Sequence, residues 1–176
     1  MPIVVQSLFD DRGRPALARE ALLGIWRTIV EEQKVELLFY AGGINTPAEF
    51  LEFIAAPRLE VSVASDSATG RPLAIAWLTH ASDASAFVHY CVLGPPRRDV
   101  GKALLRHWCG LRDPDGAPRF DVLLGVTPDF HAAALRVLRI MGFTTLGTIP
   151  RYCHSPFAGG RCGGVISYYE CPSADA

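Results

Sequence analysis

Apolar residues along this chain alternate between two spacings, one helical and one strand-like. PIVVQSLF (Pro2–Phe9) is β-branched and predicts a short strand. From Ala16 to about Glu32, residues Leu22, Leu23, Trp26, Ile29 and Val30 recur at helical spacing and predict a helix. KVELLFYAGG reads equally as a continuation of that helix or as a strand. NTPAEFLEFIAAP predicts a second helix: Thr46 is suited to the N-cap, Pro47 to the first helical position and Glu49 to a capping box, and Pro57 ends the run.

The period then shortens. LEVSVAS (Leu59–Ser65), PLAIAWLTH (Pro72–His80) and AFVHYCVL (Ala86–Leu93) predict three strands, and the Ser-, Asp- and Gly-rich connectors DSATGR and ASDAS make them an antiparallel meander. Helical spacing returns after Gly94, with Val100, Ala103, Leu104 and Leu111 on one face before DPDGAP breaks it. RFDVLLGV (Arg119–Val126) reads as a strand, and DFHAAALRVLRIM (Asp129–Met141) as a helix ended by Gly142. FTTLGTI and GGVISYYE close the chain as two strands joined by a Gly-rich loop. The order β-α-α-β-β-β-α-β-α-β-β implies a mixed α/β (α+β) fold around one central sheet.

Composition narrows the function classes. With 176 residues, 49% hydrophobic and 20% charged, the chain has the balance of a single globular domain, residues 1–176. A net charge of −1 supplies no overall basic field, so no nucleic-acid partner is expected. MPIVVQSLFDDRGRP lacks a basic leader, and no apolar run approaches the about 20 residues of a membrane span, so a cytoplasmic protein with no membrane partner is expected. Cys91, Cys109, Cys153, Cys162 and Cys171 are odd in number, scattered and without a CxxC pair, which predicts free thiols. Cys153, His154 and Cys162 lack a fourth ligand, so no metal is expected.

GPPRRDVGKALLRHW poses the chemical question. Two arginines stand where a helix begins, although a helix N-terminus already carries partial positive charge. An anion there resolves the conflict. Arg98, Gly101 and Ala103 form R-x-x-G-x-A at a strand-to-helix junction, where glycine admits close backbone approach and exposed N–H groups with arginines suit a phosphate or diphosphate. Neither GxxxxGK[ST] nor a strand-borne GxGxxG is present, which argues against a nucleotide triphosphatase or a dinucleotide oxidoreductase.

RRDVGKALL resembles the Q/R-x-x-G-x-G/A signature of the GCN5-related N-acetyltransferases, and HAAALRVLRIMGF resembles that family's second cofactor segment, N-x-x-A-x-x-x-Y-x-x-x-G-F. The resemblance covers about Leu59 to Glu170. It implies a mostly antiparallel central sheet flanked by helices, with residues 59–170 binding acyl-CoA and residues 1–57 on the acceptor side. It also implies acetyl-CoA, or another short acyl-CoA, as co-substrate. The backbone of Cys91, Val92 and Leu93 would pair with pantetheine. Arg97, Arg98, Asp99, Val100, Gly101, Lys102 and Ala103 would form the diphosphate loop, with Lys102 read as solvated, and His131 and Ala134 would contact the coenzyme.

An alkylamine with a pKa of about 10.4 is protonated at neutral pH, and exposing its lone pair costs roughly 4 to 5 kcal/mol. His89, on the strand feeding the loop, is the expected base, since an unperturbed histidine titrates near that range. Leu138 stands where the family carries a tyrosine acid, so either another group serves, with Tyr90, Tyr152 and Tyr168 as candidates, or the thiolate leaves as its anion and takes a proton from water. Tyr152, beside the loop between the last two strands, is the residue singled out. The implied activity is N-acyl transfer, by direct attack, to a primary amine that is either a small molecule or a protein amine. Leu138 also motivates an alternative, a catalytically silent acyl-CoA-binding module that senses or recruits. The sequence leaves both the acceptor and a homodimer open.

Overall fold

The computed structural model describes residues 2–9, 14–39, 43–95, 97–155 and 159–172. The chain forms β1 (Ile3–Ser7), α1 (Arg19–Glu31), α2 (Val35–Leu38), α3 (Pro47–Ile54), β2 (Leu59–Asp66), β3 (Pro72–Ser82), β4 (Ser85–Val92), α4 (Arg98–Cys109), β5 (Val122–Pro128), α5 (Ala132–Met141), β6 (Thr144–Ser155) and β7 (Gly160–Glu170). Among the described residues the strands make one seven-stranded sheet in the order β1-β2-β3-β4-β5-β7-β6. β1 is antiparallel to β2, and β7 is antiparallel to both β5 and β6. β4 and β5 are parallel, paired at Ser85, Ala86 and Phe87, because α4 carries the chain from one to the other.

The ambiguous KVELLFYAGG turns out to contain the short helix α2, while Tyr40, Ala41 and Gly42 lie outside the described residues. The capping box forms as the sequence implies: Thr46 Oγ1 accepts from Glu49 N, and Glu49 Oε2 accepts from Thr46 N. α5 starts at Ala132 rather than Asp129, because His131 occupies the N-cap. The last two strands are longer than their apolar cores suggested. β6 runs to Ser155 through a register shift between Ile149 and Cys153, where Arg151 has φ 58°. Pro150 is tolerated there because β6 is an edge strand.

The contacts cluster into two compact units interleaved along the chain, Met1–Leu78 with His89–Leu104, and Thr79–Val88 with Leu105–Ala176. In the first unit, Leu22, Ile25, Trp26 and Ile29 of α1 and Phe50 and Ile54 of α3 bury against Val61, Val63, Ile75 and Trp77 of β2 and β3. In the second, Gly125 of β5 leaves room for Leu138 of α5, whose Cδ1 lies 3.6 Å from where a Cβ would stand.

The expectation of free thiols is corrected at two positions. Cys109, at the end of α4, and Cys171, just after β7, form a disulfide with Cα atoms 5.2 Å apart. They are 62 residues apart in sequence, so only the fold brings them together. Cys91, Cys153 and Cys162 are free. Among the described residues, no helix is long and apolar enough to cross a membrane.

Candidate active site

The end of β4 from His89, the tight loop after it and α4 as far as Leu104 lie within the first unit. Leu93 N–H donates to Leu73 O of β3 at 2.8 Å. Main-chain groups of successive strand residues alternate between the two edges, so the Val92 carbonyl points away from β3. Cys91 is buried, and burial pushes its thiol up to about 11, which keeps it protonated and a poor nucleophile. Gly94 turns the chain with φ 80°, a conformation open to glycine at little cost.

Part of the anion that the helix start calls for is internal. Arg97 is bidentate to Asp99, with Nη2–Oδ2 at 2.5 Å and Nε–Oδ1 at 3.1 Å. The Arg97 guanidinium holds the Asp99 carboxyl below its usual range. Asp99 Oδ1 also accepts from Val100 N at 3.1 Å, in the first turn of α4. Arg98 and Lys102 are exposed, whereas Val100, Gly101 and Ala103 are buried. The small residues therefore seat the helix, and Arg98 is the arginine that faces solvent.

Two residues not singled out in the sequence reach this junction from the C-terminal turn of α1. Lys34 Nζ donates to Val92 O at 2.7 Å, and Glu32 Oε1 accepts from Gly94 N at 2.7 Å. The two side chains pair with each other at 2.5 Å. No local motif marks a Glu-Gln-Lys triplet as a partner of a loop about 60 residues away.

His89 points into an aromatic cluster. Its ring stacks on Trp77 at 5.4 Å and 11°, and Trp77 stacks on Phe39 at 5.7 Å, with Phe53 edge-on to both Trp77 and Phe39. Burial pushes the imidazole down from 6.5 to about 4. His89 is thus neutral at pH 7 and a much weaker base than an exposed histidine.

The remaining sequence-identified residues belong to the second unit. His131 caps α5, its Nδ1 accepting from Ala134 N at 3.4 Å, and its ring lies nearly parallel to Phe130. Leu138 is buried against Gly125, so the helix face that carries a tyrosine in the family signature is here committed to the core. Tyr152 lies within β6 rather than beside a loop and is 52% exposed. Its ring rests on Gly164, where an added Cβ would come within 2.8 Å of Cδ1. Adjacent Gly163 donates its N–H to Asp129 Oδ2 at 3.2 Å. Sequence reasoning missed this Gly163–Gly164 step, although a GG pair inside a strand pattern is a recognisable sign of close approach.

No protein-family profile and no curated protein matches the sequence. Solved structures match the fold instead: it is shared with several acetyltransferases. A spermidine N-acetyltransferase from Vibrio cholerae, in complex with CoA and spermine, superposes with a TM-score of 0.70 at 12% identity, covering 96% of this chain and 95% of that one. The ribosomal-protein-S5-alanine acetyltransferase from Vibrio fischeri gives 0.66 at 11% identity, covering 97% and 94%. An aminoglycoside acetyltransferase in complex with coenzyme A and kanamycin gives 0.65 at 13% identity, covering 96% and 95%.

Proposed function

We propose that this protein is an acyl-CoA-dependent N-acyltransferase that moves acetyl, or a similarly short acyl group, from coenzyme A to a primary amine. The observation that carries the reading is the β4–Gly94–α4 junction on this fold: a strand edge, a glycine turn and a buried small-residue helix start flanked by Arg97 and Arg98. Such donors suit the phosphates of a coenzyme. Cys91, Val92 and Leu93 would align pantetheine through their backbone, and the N–H groups from Arg98 to Ala103 would take the diphosphate. Solved neighbours of the fold hold CoA together with spermine or kanamycin, which supports a small-molecule amine as acceptor. A protein amine is the other acceptor class.

In the reaction the amine nitrogen bonds to the thioester carbonyl carbon, the C–S bond breaks, and one N–H proton ends on the leaving sulfur or in water. A His89 of pKa about 4 is about six units too weak to take a proton directly from an alkylammonium. The acceptor therefore reacts as its free base, deprotonated by solvent. His89, stacked on Trp77, serves as a neutral wall residue of β4 and not as the base, and the leaving thiolate takes its proton from water.

Calorimetric titration with acetyl-CoA, with dephospho-CoA and ATP as controls, tests the site. Acetyl-CoA is expected to bind and ATP not. Arg98→Glu combined with Gly101→Val is expected to abolish binding through charge repulsion and blocked backbone approach. Unchanged affinity in that variant would remove the loop assignment. The weakened His89 and the core position of Leu138 favour one second reading, a silent acyl-CoA sensor. Thiol release across an amine panel separates the two, since the sensor binds acetyl-CoA and releases none.

A further inference from the structure

The C-terminal turn of α1 is built to deliver two opposite charges to one place. Lys34 N donates to Ile29 O and Gln33 N to Val30 O, the paired bonds of a Schellman turn. The residue between the charges, Gln33, has φ 54°, in the left-handed region where glycine is preferred. This strained turn brings Glu32 and Lys34 into contact with each other and with the end of β4. Their side chains are only 27% and 28% exposed, so neither charge is a freely solvated surface group.

The main-chain atoms they engage matter for the proposed coenzyme site. Gly94 lies between the stretch assigned to pantetheine, Cys91–Leu93, and the stretch assigned to the diphosphate, Arg98–Ala103. Its N–H is a single donor, and Glu32 holds it at 2.7 Å. The Val92 carbonyl accepts from Lys34 Nζ at 2.7 Å and weakly from the Cys91 thiol at 3.7 Å, so it can keep Lys34 while a stronger donor replaces the thiol. An anionic ligand following this backbone thus meets a carboxylate on the loop N–H and an ammonium that tolerates its arrival.

We propose that Glu32, held by Lys34, is an internal anion on the coenzyme loop, which acyl-CoA displaces from the Gly94 N–H while Lys34 stays as a cation beside the incoming phosphates. The pair sets coenzyme affinity rather than performing chemistry. This inference rests on the coenzyme reading above.

The test is equilibrium titration of acetyl-CoA into the parent, Glu32→Gln, Lys34→Met, the double variant and Lys34→Arg, with the melting temperature of each recorded. Glu32→Gln removes the competing charge and leaves Lys34 uncompensated, so acetyl-CoA binding tightens about tenfold. Lys34→Met leaves the Glu32 anion unbalanced on the loop, and binding weakens by about the same factor. The double variant and Lys34→Arg return to near the parent affinity. A merely structural tie gives a different pattern, in which both single variants weaken binding along with the melting temperature, and that result overturns the proposal. Parent affinity in all variants overturns it too, by placing the pair off the coenzyme path. A parent that binds no acetyl-CoA removes the coenzyme reading itself, an outcome separable from the other two.

Discussion

At His89, packing and basicity oppose each other. A ring lying flat against Trp77 is favourable when neutral, and desolvation lowers its pKa from 6.5 to about 4. Because the folded value lies below the unfolded one, the unfolded chain binds more protons between them. The stabilisation is therefore complete above pH 6.5 and is lost as pH falls toward 4. Urea unfolding at pH 7.5 and 4.5 is expected to show a loss of about 2 to 3 kcal/mol that His89→Phe largely removes. If the proposed acyl transfer holds, the same shift bears on its pH dependence. Between pH 6 and 9 the rate should follow the free-amine fraction, with no inflection from His89, and His89→Ala should cost the same factor at pH 7 and pH 9. A loss confined to neutral pH would restore His89 as the proton acceptor.

Among the elements, the turn after α1 and the start of α3 contrast in how plainly they are written. The capping box of α3 is local, its residues three apart, and was legible directly from NTPAEF. The α1 turn uses Gln33 in a conformation that glycine adopts more easily, and nothing in EEQK announces it. Gln33→Gly is expected to raise stability by about 1 kcal/mol, read from the urea midpoint, because the left-handed cost disappears. β6 teaches the same lesson for strands. FTTLGTI was readable as a strand, but the continuation through Arg151 to Ser155 depends on pairing with β7 across a register shift.

For the whole molecule, the disulfide is the main long-range tie that composition alone argued against. It joins α4 to the residue after β7 and closes a 62-residue separation. Thiol titration of the denatured, unreduced protein is expected to find three reactive thiols, and five after reduction. Reduction should lower unfolding stability by about 2 to 4 kcal/mol, since a cross-link over a long loop restricts the unfolded chain. Five thiols before reduction would show the pair to be open.

What the sequence determined by itself was whatever depends on near neighbours: element order apart from the short α2, the capping box, the Gly142 helix stop, with φ 98°, and the strand–loop–helix signature around Arg98. Periodicity and turn chemistry act over a few residues and survive without knowledge of the fold. Only the tertiary structure decided that His89 loses its basicity against Trp77, that Leu138 fills the space beside Gly125, that Tyr152 rests on Gly164, and that Glu32 and Lys34 close on Gly94 and Val92. Each of these depends on atoms distant in sequence but in contact in space, where desolvation and pairing, rather than residue type, set the chemistry.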